Sequence, residues 1–207
     1  MRLCLVRHGE TDWNAAGRIQ GQLDVPLNAR GQQQAQAVAA ALATQPFNAV
    51  FSSDLSRAQQ TAAAVAQRQQ LPVQTLNGWR ERHHGRMQGQ TYCELASSWP
   101  EGHQRLRARD PDFEVDGGES LRQLAARCRH NLTELTALGQ PCVLVVTHGG
   151  VLDVLHRLVC GEPLHTPRRV AIRNCAIHWL EHLGGTWTVL SWGDETHLQN
   201  ARDELPD

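Results

Sequence analysis

Residues 3–10 read Leu-Cys-Leu-Val-Arg-His-Gly-Glu, an apolar run that stops at Arg7 and His8. Residues 143–150 read Val-Leu-Val-Val-Thr-His-Gly-Gly and stop in the same way, at His148. An apolar run of this length that is bounded by glycine is typical of a strand buried on both faces. In an open α/β sheet the ligand crevice lies beyond the carboxyl ends of such strands. We therefore expect both histidines and Arg7 to face one crevice, where the ligand is an anion.

The rest of the chain alternates between strand-like and helix-like segments. Strands are predicted at 49–51 and 73–76, and two runs joined by two glycines predict a hairpin over 176–192. Helices are predicted to begin at the polar N-caps Asn28 and Ser53 or Asp54, another is predicted to open at residues 117–120, and a further helix is predicted over 151–159. This alternation predicts an α/β fold, which we expect to be a three-layer αβα sandwich with a mostly parallel central sheet. A single domain is expected over residues 1–207.

Residues 78–118 interrupt this alternation. The segment is rich in arginine and mostly irregular, with one short helix predicted over 92–98. It is expected to be too short and too polar to have a core of its own. We interpret it as a small cap inserted over the crevice rather than as a second domain.

Charge and composition exclude several classes of protein. The net charge of the 207-residue chain is −1, so no bulk attraction to nucleic acid or to a membrane surface is expected. All 20 basic residues are arginine. The absence of lysine excludes Schiff-base enzymes and the Walker A phosphate loop. The apolar runs are too short to span a membrane, and the first strand follows Met1 without a targeting segment.

The cysteines and histidines lack the spacing of a metal site. None of the six cysteines pairs at zinc-ligand or redox spacing, and the chain contains no His-Glu-x-x-His motif. Several cysteines lie inside apolar runs, where a free thiol behaves as a small hydrophobic group. We expect reduced cysteines, a cytoplasmic location, and neither a metal nor another cofactor.

Arg7-His8-Gly9 contains the residue types that phosphoryl transfer requires. A neutral imidazole can attack phosphorus and form a covalent intermediate. Guanidinium groups offer a rigid fork of donors to phosphate oxygens and keep their charge. Nearby arginines also disfavour a protonated His8, because like charges repel. A lone Arg-His pair at a strand end is nevertheless compatible with a purely structural role.

A series of motifs, in order along the chain, resembles the histidine phosphatase superfamily. The matching positions are residues 7–11, Trp13-Asn14, Arg18, Gln20-Gly21, Asp24, Pro26-Leu27, Gly31, residues 52–58 with Thr61, Glu81-Arg82-His83-His84-Gly85, 118–120 and 147–150. They cover nearly the whole sequence with family-like spacing. The resemblance is to the phosphoglycerate-mutase-like branch, and within it to phosphatases of the bacterial broad-specificity type.

The resemblance implies a role for each matching position. His8 would become a phosphohistidine, and Glu81 would be the general acid that protonates the leaving oxygen. The phosphoryl oxygens would be held by Arg7, Arg57, His148, Asn14 and the Gly149 N–H, with His148 protonated beside the phosphate. The helix near Asp54 would direct its N-terminus at the anion. Gln20 and Gly21 would line the substrate side of the pocket, where His84, Trp13 and Trp79 are further candidates for contact.

Three functions remain open at this stage. A phosphomonoester hydrolase acting on a small phosphorylated metabolite is favoured, because the cap is short. A cofactor-dependent phosphoglycerate mutase is the alternative, since residues 81–85 followed by Gln88-Gly89 look mutase-like. A non-catalytic binder of phosphorylated ligands is the third, and the complete set of motif residues argues against it. The apolar terminal hairpin could pair two copies into a homodimer.

Overall fold

The central sheet has six strands in the order β3-β2-β4-β1-β5-β6. The computed structural model describes residues 1–198, so the last nine positions of the expected domain lie outside the described residues. The strands are β1 (Arg2–Arg7), β2 (Ala49–Ser52), β3 (Val73–Thr75), β4 (Cys142–Thr147), β5 (Ile177–Leu183) and β6 (Thr186–Asp194). The first four run parallel, β5 is antiparallel to its neighbour β1, and β6 is antiparallel to β5 in the terminal hairpin. The predicted α/β fold with a mostly parallel sheet is confirmed.

Seven α-helices and short 3₁₀ turns connect the described strands. The helices are α1 (Asp12–Ala15), α2 (Ala29–Ala41), α3 (Ser56–Gln69), α4 (Tyr92–Ser98), α5 (Pro100–Arg107), α6 (Leu121–Ala137) and α7 (Gly149–Cys160). Asn28 caps α2 with its side chain, as predicted, and Ser120, the last residue of the segment predicted to open α6, caps that helix with its side chain. The predicted caps of α3 are wrong. Leu55 occupies the N-cap of α3, where its apolar side chain cannot accept a hydrogen bond, and the Asp54 carboxylate is paired with Arg80.

Helices cover both faces of the sheet. Alternate residues of β1 face opposite ways, so Cys4 and Val6 join the cluster under α2 and α3, while Leu3 and Leu5 join the cluster under α6 and α7. Both clusters are almost completely withdrawn from water. The period of two along each strand therefore builds the three layers that the sequence predicts.

The cap has a core, contrary to the sequence expectation. The helix predicted over 92–98 is confirmed as α4, but α5 was not anticipated. A separate apolar cluster fills the cap and consists of Ile19, Met87, Leu95, Phe113 and Val115, with Trp99 and Leu106 packed against it. No pattern in the sequence displays this core, because its residues are dispersed over turns, loops and two short helices and share no single period.

The parallel strands bring their carboxyl ends to one edge of the sheet. Arg7 is the register partner of Thr147, so the residues that follow β1 and β4 emerge side by side. β2 pairs with the other side of β4, and its last residue Ser52 lies opposite Val146. Of the helices in residues 1–198, none combines the length and the apolar character that crossing a membrane requires.

Candidate active site

His8 and His148 meet where β1 and β4 end. The His8 amide donates to the Thr147 carbonyl at 2.9 Å, which continues the parallel pairing one residue beyond the strand. The two imidazole centroids are 5.1 Å apart, with the rings inclined by 58°. Both side chains are buried. The sheet register therefore places the two histidines on one crevice, as the sequence predicts.

The geometry of His8 fixes which ring nitrogen can react. Nδ1 lies 2.7 Å from the Gly9 carbonyl oxygen, which can only accept, so Nδ1 carries the hydrogen. Nε2 of the neutral ring then keeps its lone pair. Burial, Arg57 and Arg7 together hold the pKa of His8 well below its ordinary value. The predicted arginine effect is present, although burial is the larger cause.

His148 lies in the same environment. Neither of its ring nitrogens has a hydrogen-bond partner among residues 1–198, although both are buried. Burial, Arg57, His8 and Arg7 lower the pKa of His148 well below the ordinary value, so the ring is neutral in this structure. The expected protonated form would require the charge of a phosphoryl dianion, which acts in the opposite direction.

Two arginines flank the histidines. Arg57, in the first turn of α3 as predicted, donates to the carbonyls of Gly21 at 2.7 Å and Leu23 at 2.8 Å. Burial lowers the pKa of Arg57 to about 10, so the group remains cationic at neutral pH. Arg7 donates to the Ile172 carbonyl at 2.5 Å. The main-chain oxygens that accept from both guanidinium groups carry no formal charge, so these hydrogen bonds do not neutralise the cations.

Helix α7 begins at the crevice. His148 is its N-cap, and Gly149 is its first residue, so the first unpaired amides of a twelve-residue helix lie beside the histidines. A Cβ on Gly149 would lie 3.5 Å from Nε of Arg7, which places Arg7 against the same turn. The amides and partial positive charge of this terminus suit an anion. The predicted contribution of Gly149 is therefore compatible with its position.

Glu81 approaches the same helix terminus from the opposite side. Its Oε2 accepts a hydrogen bond from the Gly150 amide at 2.9 Å, and its Oε1 accepts one from the Arg82 amide at 2.7 Å. The two neighbouring guanidinium groups have other partners. Arg80 pairs with Asp54 at 2.7 Å, and Arg82 donates to the main-chain carbonyls of residues 113 and 119. Glu81 is therefore held at the crevice and is not a surface ion pair.

The remaining predicted site residues surround this centre. The Asn14 side chain closes the capping box of α1, and the buried Gln20 accepts from Thr11 Oγ1 at 2.9 Å. Gly21 adopts a φ of +53° and presents its carbonyl to Arg57. His84 is half-buried, and burial, Arg82 and His83 lower its pKa to about 3.

Of the two tryptophans considered for substrate contact, Trp79 does not reach the crevice. It is 1% exposed and packs in the cluster under α6 and α7, so that expectation is wrong. Trp13 is half-buried at the start of α1.

Several further residues support this centre, and of these only Thr61 was among the motif positions found in the sequence. Asn174 donates to the His8 carbonyl at 2.9 Å, and Thr61 accepts from the Gly9 amide at 3.0 Å. Gln22 and Arg127 both donate to the carbonyl of Glu81. Asn174 lies in a non-periodic loop, and Arg127 resembles any other charged position of a helix. No local pattern indicated that either would reach the site.

The chain as a whole is similar to known proteins. A family model described as the histidine phosphatase superfamily (branch 1) matches residues 3–195. The chain belongs to this superfamily. The match covers every residue of the crevice described above, and the family indicated by the sequence motifs is confirmed.

Some relatives of this histidine phosphatase superfamily chain are named as phosphoglycerate mutase-like proteins, and others are named as phosphatases. It is 40% identical over 208 residues to phosphoglycerate mutase-like protein 4 of Arabidopsis thaliana, with 96% of this chain and 87% of that protein covered. It is 37% identical over 203 residues to metal-independent phosphoserine phosphatase of the same plant, covering 96% and 84%. The solved mycobacterial glucosyl-3-phosphoglycerate phosphatase in complex with VO3 superposes with a TM-score of 0.83 at 32% identity, over 93% of this chain and 98% of that one.

The potential metal ligands among the described residues are not grouped together. Within residues 1–198, no group of three or more His, Cys, Asp and Glu side chains is arranged to hold a metal ion. The described cysteines are all free thiols, although Cys93 and Cys160 are exposed rather than in the core.

Proposed function

We propose that this protein hydrolyses small phosphomonoesters through a phosphohistidine at His8. The supporting observation is the state of the His8 ring. Its Nδ1 hydrogen is held by the Gly9 carbonyl, its pKa is lowered by burial, Arg57 and Arg7, and it lies 5.1 Å from His148. A neutral imidazole with Nε2 unprotonated, beside two guanidinium groups, is a nucleophile prepared for an anionic substrate.

The first chemical step transfers the phosphoryl group to His8. Nε2 attacks phosphorus, the P–N bond forms, and the bond from phosphorus to the alcohol oxygen breaks. Arg7, Arg57 and His148 stabilise the non-bridging oxygens, and the Gly149 amide and Asn14 add donors. Glu81 gives its proton to the leaving oxygen, which departs as the alcohol.

The second step returns the enzyme to its starting state. Glu81, now a carboxylate, accepts a proton from a water molecule, whose oxygen attacks phosphorus as the P–N bond breaks. Inorganic phosphate is released, His8 recovers its lone pair, and Glu81 recovers its proton. No step calls on a metal ion, and the expectation of a metal-independent enzyme stays a prediction. The cytoplasmic location and the lack of nucleic-acid or membrane partners likewise stay predictions.

The experiment traps the intermediate. Protein is mixed with radiolabelled p-nitrophenyl phosphate and quenched in alkaline detergent, because a phosphoramidate survives alkali and is lost in acid. We expect an acid-labile label on the wild-type protein and on His130→Asn, a matched change of an exposed histidine on α6. We expect none on His8→Asn. Undiminished labelling of His8→Asn would assign the nucleophile elsewhere.

A phosphoglycerate mutase is the second candidate. It is favoured by the 40% identity to phosphoglycerate mutase-like protein 4. Both activities share the phosphohistidine, and they differ in whether water or a second hydroxyl receives the phosphoryl group. Incubation with 3-phosphoglycerate separates them, since a phosphatase releases inorganic phosphate and a mutase forms 2-phosphoglycerate. A binding protein would do neither and would acquire no label.

A further inference from the structure

Arg127 divides its donors between the segment that carries Glu81 and the carboxylate of Glu119. Its Nη1 donates to the carbonyls of Gly78 at 2.6 Å and Arg80 at 2.7 Å, and its Nη2 donates to the carbonyl of Glu81 at 3.3 Å. The other two N–H groups, on Nε and Nη2, bind both carboxylate oxygens of Glu119 at 2.9 and 2.8 Å. All five guanidinium N–H groups are therefore engaged.

Glu119 also forms hydrogen bonds of its own to the segment that carries Glu81. One of its carboxylate oxygens accepts from the His83 amide at 3.4 Å, and its own amide donates to the His83 carbonyl at 2.8 Å. The Glu119 carbonyl accepts from Arg82 Nε at 2.7 Å. The pair is mostly withdrawn from water, with side-chain exposures of 21% for Arg127 and 15% for Glu119. Residues 78–83 are thus tied to the start of α6 along their whole length.

The tied segment has no regular structure of its own where Glu81 lies. The hydrogen bonds of one 3₁₀ turn end at Arg80 and those of the next begin at His84, so no helix or sheet hydrogen bonds fix residues 81–83. The Glu81 carboxylate nevertheless needs an accurate position, because it bonds the Gly150 amide beside the two histidines. General acid catalysis requires the donor within hydrogen-bond reach of the leaving oxygen. The residues that fix the position of the Glu81 carboxylate must therefore lie outside the segment.

We propose that Arg127, paired with Glu119, is the positioning residue that holds the Glu81 carboxyl group in place for proton transfer to the leaving group. Arg127 lies on α6, a seventeen-residue helix packed on the sheet, and so transmits the rigidity of the core to an irregular segment. The guanidinium fork matches three carbonyls and a carboxylate at once, which an ammonium group cannot do. This inference rests on the proposed function, in which Glu81 is the general acid.

The experiment compares two substrates that differ in their need for an acid. p-Nitrophenyl phosphate loses an acidic phenol and needs little protonation, whereas glycerol phosphate loses an alcohol and needs a proton donor. The measured quantity is kcat/KM, which includes transfer to His8 and departure of the leaving group. The variants are Arg127→Lys, which keeps the charge, and Glu119→Gln, which keeps the shape. The matched control is Arg122→Lys, since Arg122 lies on the same helix and forms the same two-point pair with Asp112, but is 64% exposed.

We expect Arg127→Lys to lower kcat/KM on glycerol phosphate by about tenfold or more beyond any loss on p-nitrophenyl phosphate. Glu119→Gln should act in the same direction, and Arg122→Lys should change neither substrate. Equal losses on both esters would mean a general structural role and would overturn the inference, as would no loss on either. The activity on p-nitrophenyl phosphate reports the folded fraction in the same sample.

Failure of this inference can be told from failure of the proposed function. If the wild-type protein hydrolyses neither ester, or if Glu81→Gln loses both activities equally, the proposed mechanism fails. If Glu81→Gln shows the leaving-group dependence and Arg127→Lys does not, the mechanism stands and the positioning role is rejected.

Discussion

The surroundings of His8 set the tautomer and the charge of its ring. An exposed histidine is partly protonated near neutral pH, and either ring nitrogen can carry its hydrogen. Here the Gly9 carbonyl selects the tautomer, and burial with two arginines keeps the ring neutral. Asn174 and Thr61 bind the main chain of residues 8 and 9 and fix the backbone that carries the ring. The nucleophile at this position is thus a product of main-chain contacts as much as of residue type.

At the same scale, Glu81→Gln tests the acid. Gln has nearly the same shape as Glu, but it cannot supply a proton. We expect turnover of an alkyl phosphate to fall by about 10²–10⁴, the usual contribution of a positioned acid, with a smaller effect on an aryl phosphate. The measurement is steady-state kinetics on both esters. Rates equal to those of the wild-type protein on both would remove Glu81 from the mechanism.

At the scale of elements, the first turn of α7 connects three functional groups. His148 caps the helix, Gly149 lies beside Arg7, and the Gly150 amide binds Glu81. The two glycines differ in the space around them. A Cβ on Gly149 would make an ordinary contact at 3.5 Å with Arg7, whereas a Cβ on Gly150 would overlap Oε1 of Glu81.

This difference gives a matched pair of variants. Alanine is favoured over glycine in a helix by about 1 kcal/mol, so neither Gly149→Ala nor Gly150→Ala should lower the unfolding midpoint greatly. The Glu81 carboxylate ends a flexible side chain and can move aside, which preserves stability but displaces the acid. We expect Gly150→Ala to lose alkyl phosphatase activity and Gly149→Ala to retain it. Urea unfolding and kinetics on both variants measure this, and equal activity would show that the helix terminus does not fix Glu81.

At the scale of the whole molecule, the cap and the body are joined by charge as well as by packing. Asp153 of α7 is buried and pairs with Arg109 of the cap, with Arg157 of its own helix at 3.2 Å, and with Arg168 at 3.3 Å. Arg105, another member of the cap's arginine run, pairs with Asp110. These two cap arginines therefore have local partners. The proposed homodimer through the β5–β6 hairpin stays a prediction, with β6 as the last strand of the described sheet.

Stability should depend on pH because several histidines are buried in the neutral form. Burial, with nearby charges, lowers the pKa of His8, His148 and His178, the last to about 3. Below about pH 6.5 the unfolded chain takes up protons at these positions and the native protein does not. The free energy of unfolding therefore falls as pH decreases, by up to about 1.4 kcal/mol per pH unit for each such histidine.

The measurement is urea unfolding at pH 7.5, 6.5 and 5.5. We expect little change across the first interval and a clear fall across the second. His178→Gln removes one of the buried histidines outside the crevice and should reduce the slope by roughly one group's share. A free energy of unfolding that stays constant from pH 7.5 to 5.5 would contradict the neutral, buried state of these rings.

By itself, the sequence determined most of the elements of this protein and the family to which it belongs. Period-two and period-3.6 apolar patterns, with caps such as Asn28 and Ser120, define strands and helices through local physics that a linear sequence displays. Motifs such as Arg7-His8-Gly9 indicated the reacting groups. Only the tertiary structure decided the protonation of His148, the core of the cap and the five hydrogen bonds that the Arg127 guanidinium group donates to three main-chain carbonyls and to Glu119. Burial and the positions of carbonyl groups depend on contacts between residues that are distant in the sequence. Those contacts form only when the chain has folded around the sheet.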